Sequence, residues 1–409
     1  MKEVKSDVVI IGAGPAGAVA GALLAKKGWR VSIVEREEFP RFSIGESLLA
    51  QCMESLEKAD MLEAVKSAGF QFKNGAAFEW DGARTAFDFR EKFTPGCGTA
   101  FQVPRAKFDK ILADEAERQG VKVYYRHSIV SADISENDVK LIVEHKGENL
   151  AFHARFVLDA SGFGRVLPRL LDLNRPSEFP LRESVFTHVE DNIVDSNFDR
   201  DKILITVHPS ERDIWYWLIP FTDGRASIGV VGEKEKIAVW GEEPEQVLKG
   251  AIASAPALEK TLCNAKFDTN IQRIRGYSSD VTKLAGPGFA LLGNAGEFLD
   301  PVFSSGVTIA MKSSELATEC LHRQLSGETV DWDKEFVEPL KLGVEVFKTY
   351  VKAWYDGRFQ DVIFYQTDQK EIKSMICSIL AGYAWDKKNP FVAAAERRLN
   401  TLVEICTAG

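Results

Sequence analysis

Two tryptophans one residue apart, Trp215 and Trp217, stand in the string Trp215-Tyr216-Trp217-Leu218-Ile219-Pro220. On an extended segment alternate side chains share a face, so both indoles point the same way and form a rigid apolar wall. Near the N-terminus lies a second chemical signal, Gly12-Ala13-Gly14-Pro15-Ala16-Gly17. Glycines at this spacing allow a tight turn and close approach of backbone to a diphosphate. Glu35, at the end of the next apolar run, stands where a carboxylate would meet ribose hydroxyls. Gly12, Gly14, Pro15, Ala16, Gly17, Glu35 and the adjacent Arg36 are therefore expected to hold a dinucleotide.

These residues need a frame. Asp7 to Ile11 is a short Val/Ile-rich run that reads as a buried parallel strand. Ala18 to Lys27 reads as a helix ended by Gly28, and Arg30 to Val34 as the second strand. The strand, helix, second strand and terminal acid are in register, so the glycines belong to one βαβ unit. Further on, Val103 to Gln119 reads as a helix and Val121 to Tyr125 as a strand. Ser128-Ile129-Val130 reads as a short connection into a hairpin of Val139 to Glu144 and Ala151 to Phe156. Phe156 to Ala160 and Gly288 to Ala295 look like late strands of the nucleotide-binding unit. Segments 66–99 and 175–280 read as strand-rich, and 331–409 as helical. In that last region Phe347, Tyr350, Trp354, Tyr355 and Phe359 form an aromatic stripe suited to packing, broken by Asp356-Gly357.

Composition narrows the class. With 409 residues, 45% hydrophobic and 27% charged, the chain can build two or three domains. A net charge of -9 and no basic block argue against nucleic acid as a partner. No apolar run is long enough for an integral membrane segment, and the N-terminus lacks the apolar core of a signal peptide, so a cytoplasmic location is expected. Six scattered cysteines without a C-x-x-C pair, and six dispersed histidines, predict reduced thiols and no metal site. Cys97, in the glycine-rich loop Pro95-Gly96-Cys97-Gly98, is the thiol to watch.

With these pieces in place the chain resembles the FAD-dependent group that contains aromatic hydroxylases, geranylgeranyl reductases and flavin-dependent halogenases, and most of all the halogenases. The resemblance rests on Gly12 to Gly17, on Pro40-Arg41-Phe42-Ser43-Ile44-Gly45-Glu46-Ser47-Leu48-Leu49, on Trp215 to Pro220, and on Asp300-Pro301-Val302-Phe303-Ser304-Ser305-Gly306-Val307. It implies an α/β fold: a Rossmann-like FAD-binding domain of the aromatic-hydroxylase type, an inserted antiparallel sheet domain for substrate, and a helical C-terminal region. The division would be 1–65, 100–174 and 281–330 for FAD, 66–99 and 175–280 for substrate, and 331–409 for the helices.

The resemblance also implies roles. Reduced FAD and oxygen would oxidise a halide to hypohalous acid. Lys73, in the apolar stretch Gly69 to Trp80, matches the lysine that passes the oxidised halogen to an electron-rich aromatic small molecule. Burial there would favour a neutral, nucleophilic amine. Trp215 and Trp217 would keep that molecule from the flavin. The helix that starts near Val307 would present free N–H groups to an anion, which makes Ser305 and Gly306 the halide candidates. Ser47, Arg105, Gly162, Asn294, Asp300, Gly306 and Val307 match FAD-contacting positions. Glu46 lies along the same flavin segment and could equally be a first-turn helix acid. Gly293-Asn294-Ala295 departs from the family's Gly-Asp-Ala: the short hydrogen-bonding side chain is kept and the charge lost. No substrate-side base is evident, with Tyr355, Asp356 and Asp361 the nearest candidates. No second glycine motif for a nicotinamide nucleotide is visible, so a separate flavin reductase would supply reduced FAD. A flavin monooxygenase, or a geranylgeranyl-reductase-like enzyme, is the alternative. A flavin-binding protein without catalysis is a third reading.

Overall fold

The computed structural model describes residues 2–365 and 370–407. A six-stranded sheet forms its centre, in the order Ala285–Gly286, Phe289–Leu291, Phe156–Asp159, Val8–Ile11, Val31–Val34, Lys122–Tyr124. All pairs are parallel except the first. Val8 to Ile11 and Val31 to Val34 are buried throughout, as expected of strands covered on both faces. The Pro15–Lys26 helix packs against Arg105–Arg118 and Ser305–Leu325. This is the expected α/β architecture.

A second sheet corrects one expectation and adds an N-terminal strand. Its order is Lys2–Lys5, Glu148–Ala154, Asp138–His145, Ser128–Ser135. Ser128–Ser135 is a full strand of eight residues, not a short connection. Half of its residues are exposed, but Ile129, Ala132 and Ile134 pack partly buried against the core, and pairing with Asp138–His145 completes the strand. Lys2–Lys5, polar and largely exposed, is recruited by parallel pairing with Glu148–Ala154.

The third sheet carries the tryptophans. Seven strands run Gln272–Arg275, Arg182–Glu190, Arg225–Glu233, Trp215–Pro220, Lys202–Val207, Gly75–Trp80, Ala83–Asp88. Every pair is antiparallel except Lys202–Val207 with Gly75–Trp80. Trp215–Pro220 is wholly buried, and alternation divides it between two cores. Tyr216 and Leu218 pack with Val247, Leu248 and Ala251, whereas Trp215, Trp217 and Ile219 join the main core. Residues 175–280 are therefore not only strands: the helices Pro244–Ala253 and Pro256–Thr261 cover the outer face of this sheet.

Beyond residue 330 the chain is helical, with Glu338–Tyr355, Arg358–Phe364, Lys370–Leu380 and Ala395–Thr407 the main helices. The aromatic stripe is packing: Phe347, Tyr350, Trp354 and Phe359 are buried, and Trp354 meets both Phe78 and Phe303. Gly357, at φ 87°, makes the break. Among the described residues no helix is long and apolar enough to cross a membrane.

Candidate active site

A cavity of about 570 Å³ runs from the glycine turn to the tryptophan pair. At its nucleotide end Gly12 adopts φ +95°, and a Cβ there would lie 2.6 Å from the Ala160 carbonyl oxygen. A Cβ on Gly17 would lie 1.9 Å from the Gly12 oxygen, so Gly17 serves the packing of helix on turn and does not border the cavity. Gly14 begins the Pro15–Lys26 helix without a capping side chain, which leaves backbone N–H groups facing the cavity. The Arg41 guanidinium hangs over Gly14, 3.4 Å from where a Cβ would be, and pairs with buried Asp109 at 3.2 Å. A cation above a helix N-terminus is a built anion site.

Glu35 is buried and borders the cavity. Its Oε2 accepts from the Ala13 N–H and its Oε1 from the Glu37 N–H, each at 2.8 Å. The carboxylate thus ties the end of Val31–Val34 to the glycine turn. Arg36 borders the cavity and donates to the Glu37 carboxylate at 3.1 Å. Arg105 also borders it, but its guanidinium is committed elsewhere. Nε and Nη2 donate to Asp109 at 2.7 and 3.0 Å, and Nη1 to the Ile44 carbonyl at 2.6 Å. Arg105 therefore braces the 40–48 segment. Glu46 in that segment is not in a helix; it pairs with His188. Ser47, Gly162, Asn294, Gly306 and Val307 all border the cavity.

The other end is built by the loop before Ser305–Leu325. Asp300 caps its turn by accepting from the Val302 N–H at 3.0 Å, and Ser304 opens the helix at φ 55° without a side-chain cap. Gly306 faces the cavity; Ser305 and Asp300 are buried behind it. Opposite stand Trp215 and Trp217, ring centres 6.0 Å apart and tilted by 49°. Trp217 donates to the Ser227 hydroxyl at 3.0 Å and lies across Gly229, where a Cβ would come within 2.3 Å of the indole. Trp215 donates to the Tyr355 hydroxyl at 2.9 Å, which in turn donates to Asp300 Oδ2 at 2.8 Å. Burial pushes Asp300 up to about 6, against the lowering effect of these hydrogen bonds. Asp356 and Asp361 are occupied in ion pairs with Arg358 and Arg212.

Lys73 does not border the cavity. It is fully buried, and its Nζ donates to the Leu48 carbonyl at 2.8 Å with the Phe89 ring 5.3 Å away. Ser47, the residue before Leu48, is in the cavity wall, so the amine sits directly behind that wall. Burial pulls its pKa down to about 7.

Three features escaped the sequence reading: Arg41 over the glycine turn, Phe163 against Phe298 at the cavity edge, and the Glu46–His188 pair. Arg41 and Glu46 lie inside the Pro40–Leu49 motif, which was the available signal. The donor set fits FAD: uncapped N–H groups at two helix starts, glycines where side chains would clash, a cation and a ribose-side carboxylate along one cavity.

Comparison with known proteins agrees. The family model for an FAD binding domain matches residues 5–286. A tryptophan 2-halogenase of Chondromyces crocatus is 32% identical over 339 residues, 79% of this chain but 62% of that protein. A 1H-pyrrole-2-carbonyl-peptidyl-carrier-protein brominase of Pseudoalteromonas luteoviolacea is 30% identical, covering 94% of each chain. Among solved structures, a flavoprotein/dehydrogenase from Cytophaga hutchinsonii is 43% identical with a TM-score of 0.96, covering 99% of this chain and 100% of that one. A triple mutant of a flavin-dependent brominase is 25% identical with a TM-score of 0.83, covering 97% of this chain and 100% of that one. The chain belongs to the flavin-dependent halogenases and is an FAD-dependent enzyme of that family.

Proposed function

We propose that this enzyme uses reduced FAD, oxygen and a halide to halogenate an electron-rich aromatic small molecule. The observation that carries the reading is the fully buried Lys73 amine, drawn down to about 7 and set one residue behind the cavity wall. Bound FAD, when reduced, supplies the two electrons that let oxygen oxidise the halide. The rest falls to the chain. Gly306 and the uncapped start of the Ser305–Leu325 helix offer N–H groups to the halide, with buried Ser305 supporting that turn. Trp215 and Trp217 exclude organic substrate from the flavin end. At neutral pH a large fraction of Lys73 is uncharged, so its lone pair can take or hydrogen-bond the oxidised halogen and present it to the ring. The FAD-contacting set remains Gly12, Gly14, Pro15, Ala16, Gly17, Glu35, Arg36, Ser47, Arg105, Gly162, Asn294, Asp300, Gly306 and Val307. Arg41 joins it, and Gly17, Arg105 and Asp300 act by shaping the site. A separate flavin reductase supplies reduced FAD in the cytoplasm, and residues 66–99 and 175–280 form the substrate domain.

The test is mass spectrometry of products from purified enzyme, FAD, a flavin reductase with NADH, oxygen, bromide and a panel of phenols, resorcinols, pyrroles and indoles. A product with bromine's isotope doublet, absent with Lys73→Ala, is the expected result. One observation favours a second reading: the Lys73 amine is engaged by a backbone carbonyl outside the cavity. In a monooxygenase or a geranylgeranyl-reductase-like enzyme it would be structural. Oxygenated or hydrogenated products without bromine would establish that reading and overturn the first.

A further inference from the structure

Halogenation by this route takes up a proton. R–H, X⁻, O₂, FADH₂ and H⁺ yield R–X, FAD and two waters, with atoms and charge balanced. The cavity must therefore receive one proton per turnover, and its tryptophan end is apolar. Glu46 borders the cavity and is only 2% exposed. Its backbone is pinned by the Val103 N–H, which donates to the Glu46 carbonyl at 2.7 Å. Its Oε1 lies 2.7 Å from Nε2 of His188, whose side chain keeps 23% of its surface exposed. His188 stands on the Arg182–Glu190 strand with its ring between Phe42 and Phe221, at 6.0 and 5.3 Å. A buried carboxylate at the cavity is thus joined to a titratable ring that reaches water.

We propose that His188 and Glu46 form the proton entry of this active site, with Glu46 giving its proton to the cavity and His188 resupplying it through Nε2. This rests on the halogenase reading. In the step, the His188 Nε2–H bond breaks as a Glu46 O–H bond forms. The carboxyl O–H then breaks toward the oxygen that leaves as water, and the imidazole regains a proton from solvent. No electrons move. His188 acts through Glu46 and is a positioning residue; Glu46 faces the reacting groups. The other charges around the ring are Arg225 and Asp223, Arg225 being held by Asp268 at 2.7 Å. Burial depresses the histidine, but the hydrogen bond and charge of Glu46 outweigh it and hold its pKa above the ordinary value. The ring therefore holds its proton to a higher pH than a free imidazole does, and gives it up as pH rises further.

The test compares wild-type, His188→Asn and Glu46→Gln holoenzymes, each loaded with FAD and supplied with reductase, NADH, oxygen and bromide, using resorcinol as the probe. Bromoresorcinol formation is followed across the pH range, and flavin absorbance reports cofactor loading. The expected result is a wild-type rate that falls on the alkaline limb. Both variants should be about 100-fold slower with that limb removed, and added imidazole should restore His188→Asn. Variant profiles parallel to the wild type's, whatever their height, overturn the proton entry and leave the halogenase reading intact. A wild-type enzyme that reoxidises its flavin yet brominates no member of the panel overturns that reading, and the proton entry with it.

Discussion

Replacing Lys73 by Met should make the protein more stable while abolishing halogen transfer. The amine has an ordinary pKa of 10.5, drawn down to about 7 by complete burial. At about 1.4 kcal/mol per pH unit, keeping it protonated in the fold costs about 5 kcal/mol more than in the unfolded chain. The sign follows from proton counts. Between about pH 7 and 10.5 the unfolded chain binds the proton and the folded chain does not, so wild-type stability rises with pH across that window. Below about pH 7 the full penalty applies. Methionine fills a similar volume and carries no charge. It forfeits the hydrogen bond to Leu48 and leaves that carbonyl unmet, a loss of about 1–3 kcal/mol. The net gain is therefore about 2–4 kcal/mol at about pH 6 and close to zero at about pH 9, where the remaining penalty of about 2 kcal/mol is offset by the lost hydrogen bond. Urea unfolding of both proteins at these two pH values measures it. A variant less stable than wild type at about pH 6, or an advantage that does not shrink with pH, would refute the reasoning that buried charge dominates at this position.

Asp300→Asn should remove a pH dependence of the opposite sense. The folded carboxyl is raised from 3.8 to about 6, so wild-type stability falls by about 3 kcal/mol as pH rises through that window. The variant should lack this contribution, so its stability should gain on wild type by about 3 kcal/mol across that window, and a slope equal to wild type would disprove the assignment. Tyr355→Phe leaves the buried Trp215 indole N–H unpaired, a loss of about 1–3 kcal/mol. It should raise the ratio of oxygenated to brominated product; an unchanged ratio means the hydroxyl does not hold the wall. Gly12→Ala places a Cβ 2.6 Å from the Ala160 oxygen at a positive φ. FAD affinity in a fluorescence titration should drop about 100-fold, in line with a loss of about 3 kcal/mol. Wild-type affinity would show that the turn can relax.

Local patterns carried the nucleotide unit and the tryptophan face. Val8 to Ile11, the glycine turn and Glu35 are neighbours along the chain, so one window holds the whole motif. Trp215 and Trp217 obey the strand's period of two whatever packs on them. The misses share a cause. Glu46 and His188 are 142 residues apart, and Trp215 and Tyr355 are 140 apart, so no window shows either pair. Arg41 was in view but read as part of a motif, because its partners Gly14 and Asp109 come from two other elements. Lys2–Lys5 became a strand through pairing alone, against the polarity of its residues. Lys73 was found through family position; its burial and its place behind the wall are properties of the fold.

The central sheet has a consequence for how the chain comes off the ribosome. Phe156–Asp159 pairs with Val8–Ile11 on one side and with Phe289–Leu291 on the other. The second partner is encoded more than a hundred residues later. At about 5–20 residues per second, an apolar strand edge waits on the order of ten seconds for its neighbour. Such an edge is a template for pairing with other chains. The yield of soluble enzyme should therefore depend on translation speed and chaperone supply more than on the stability of the finished fold.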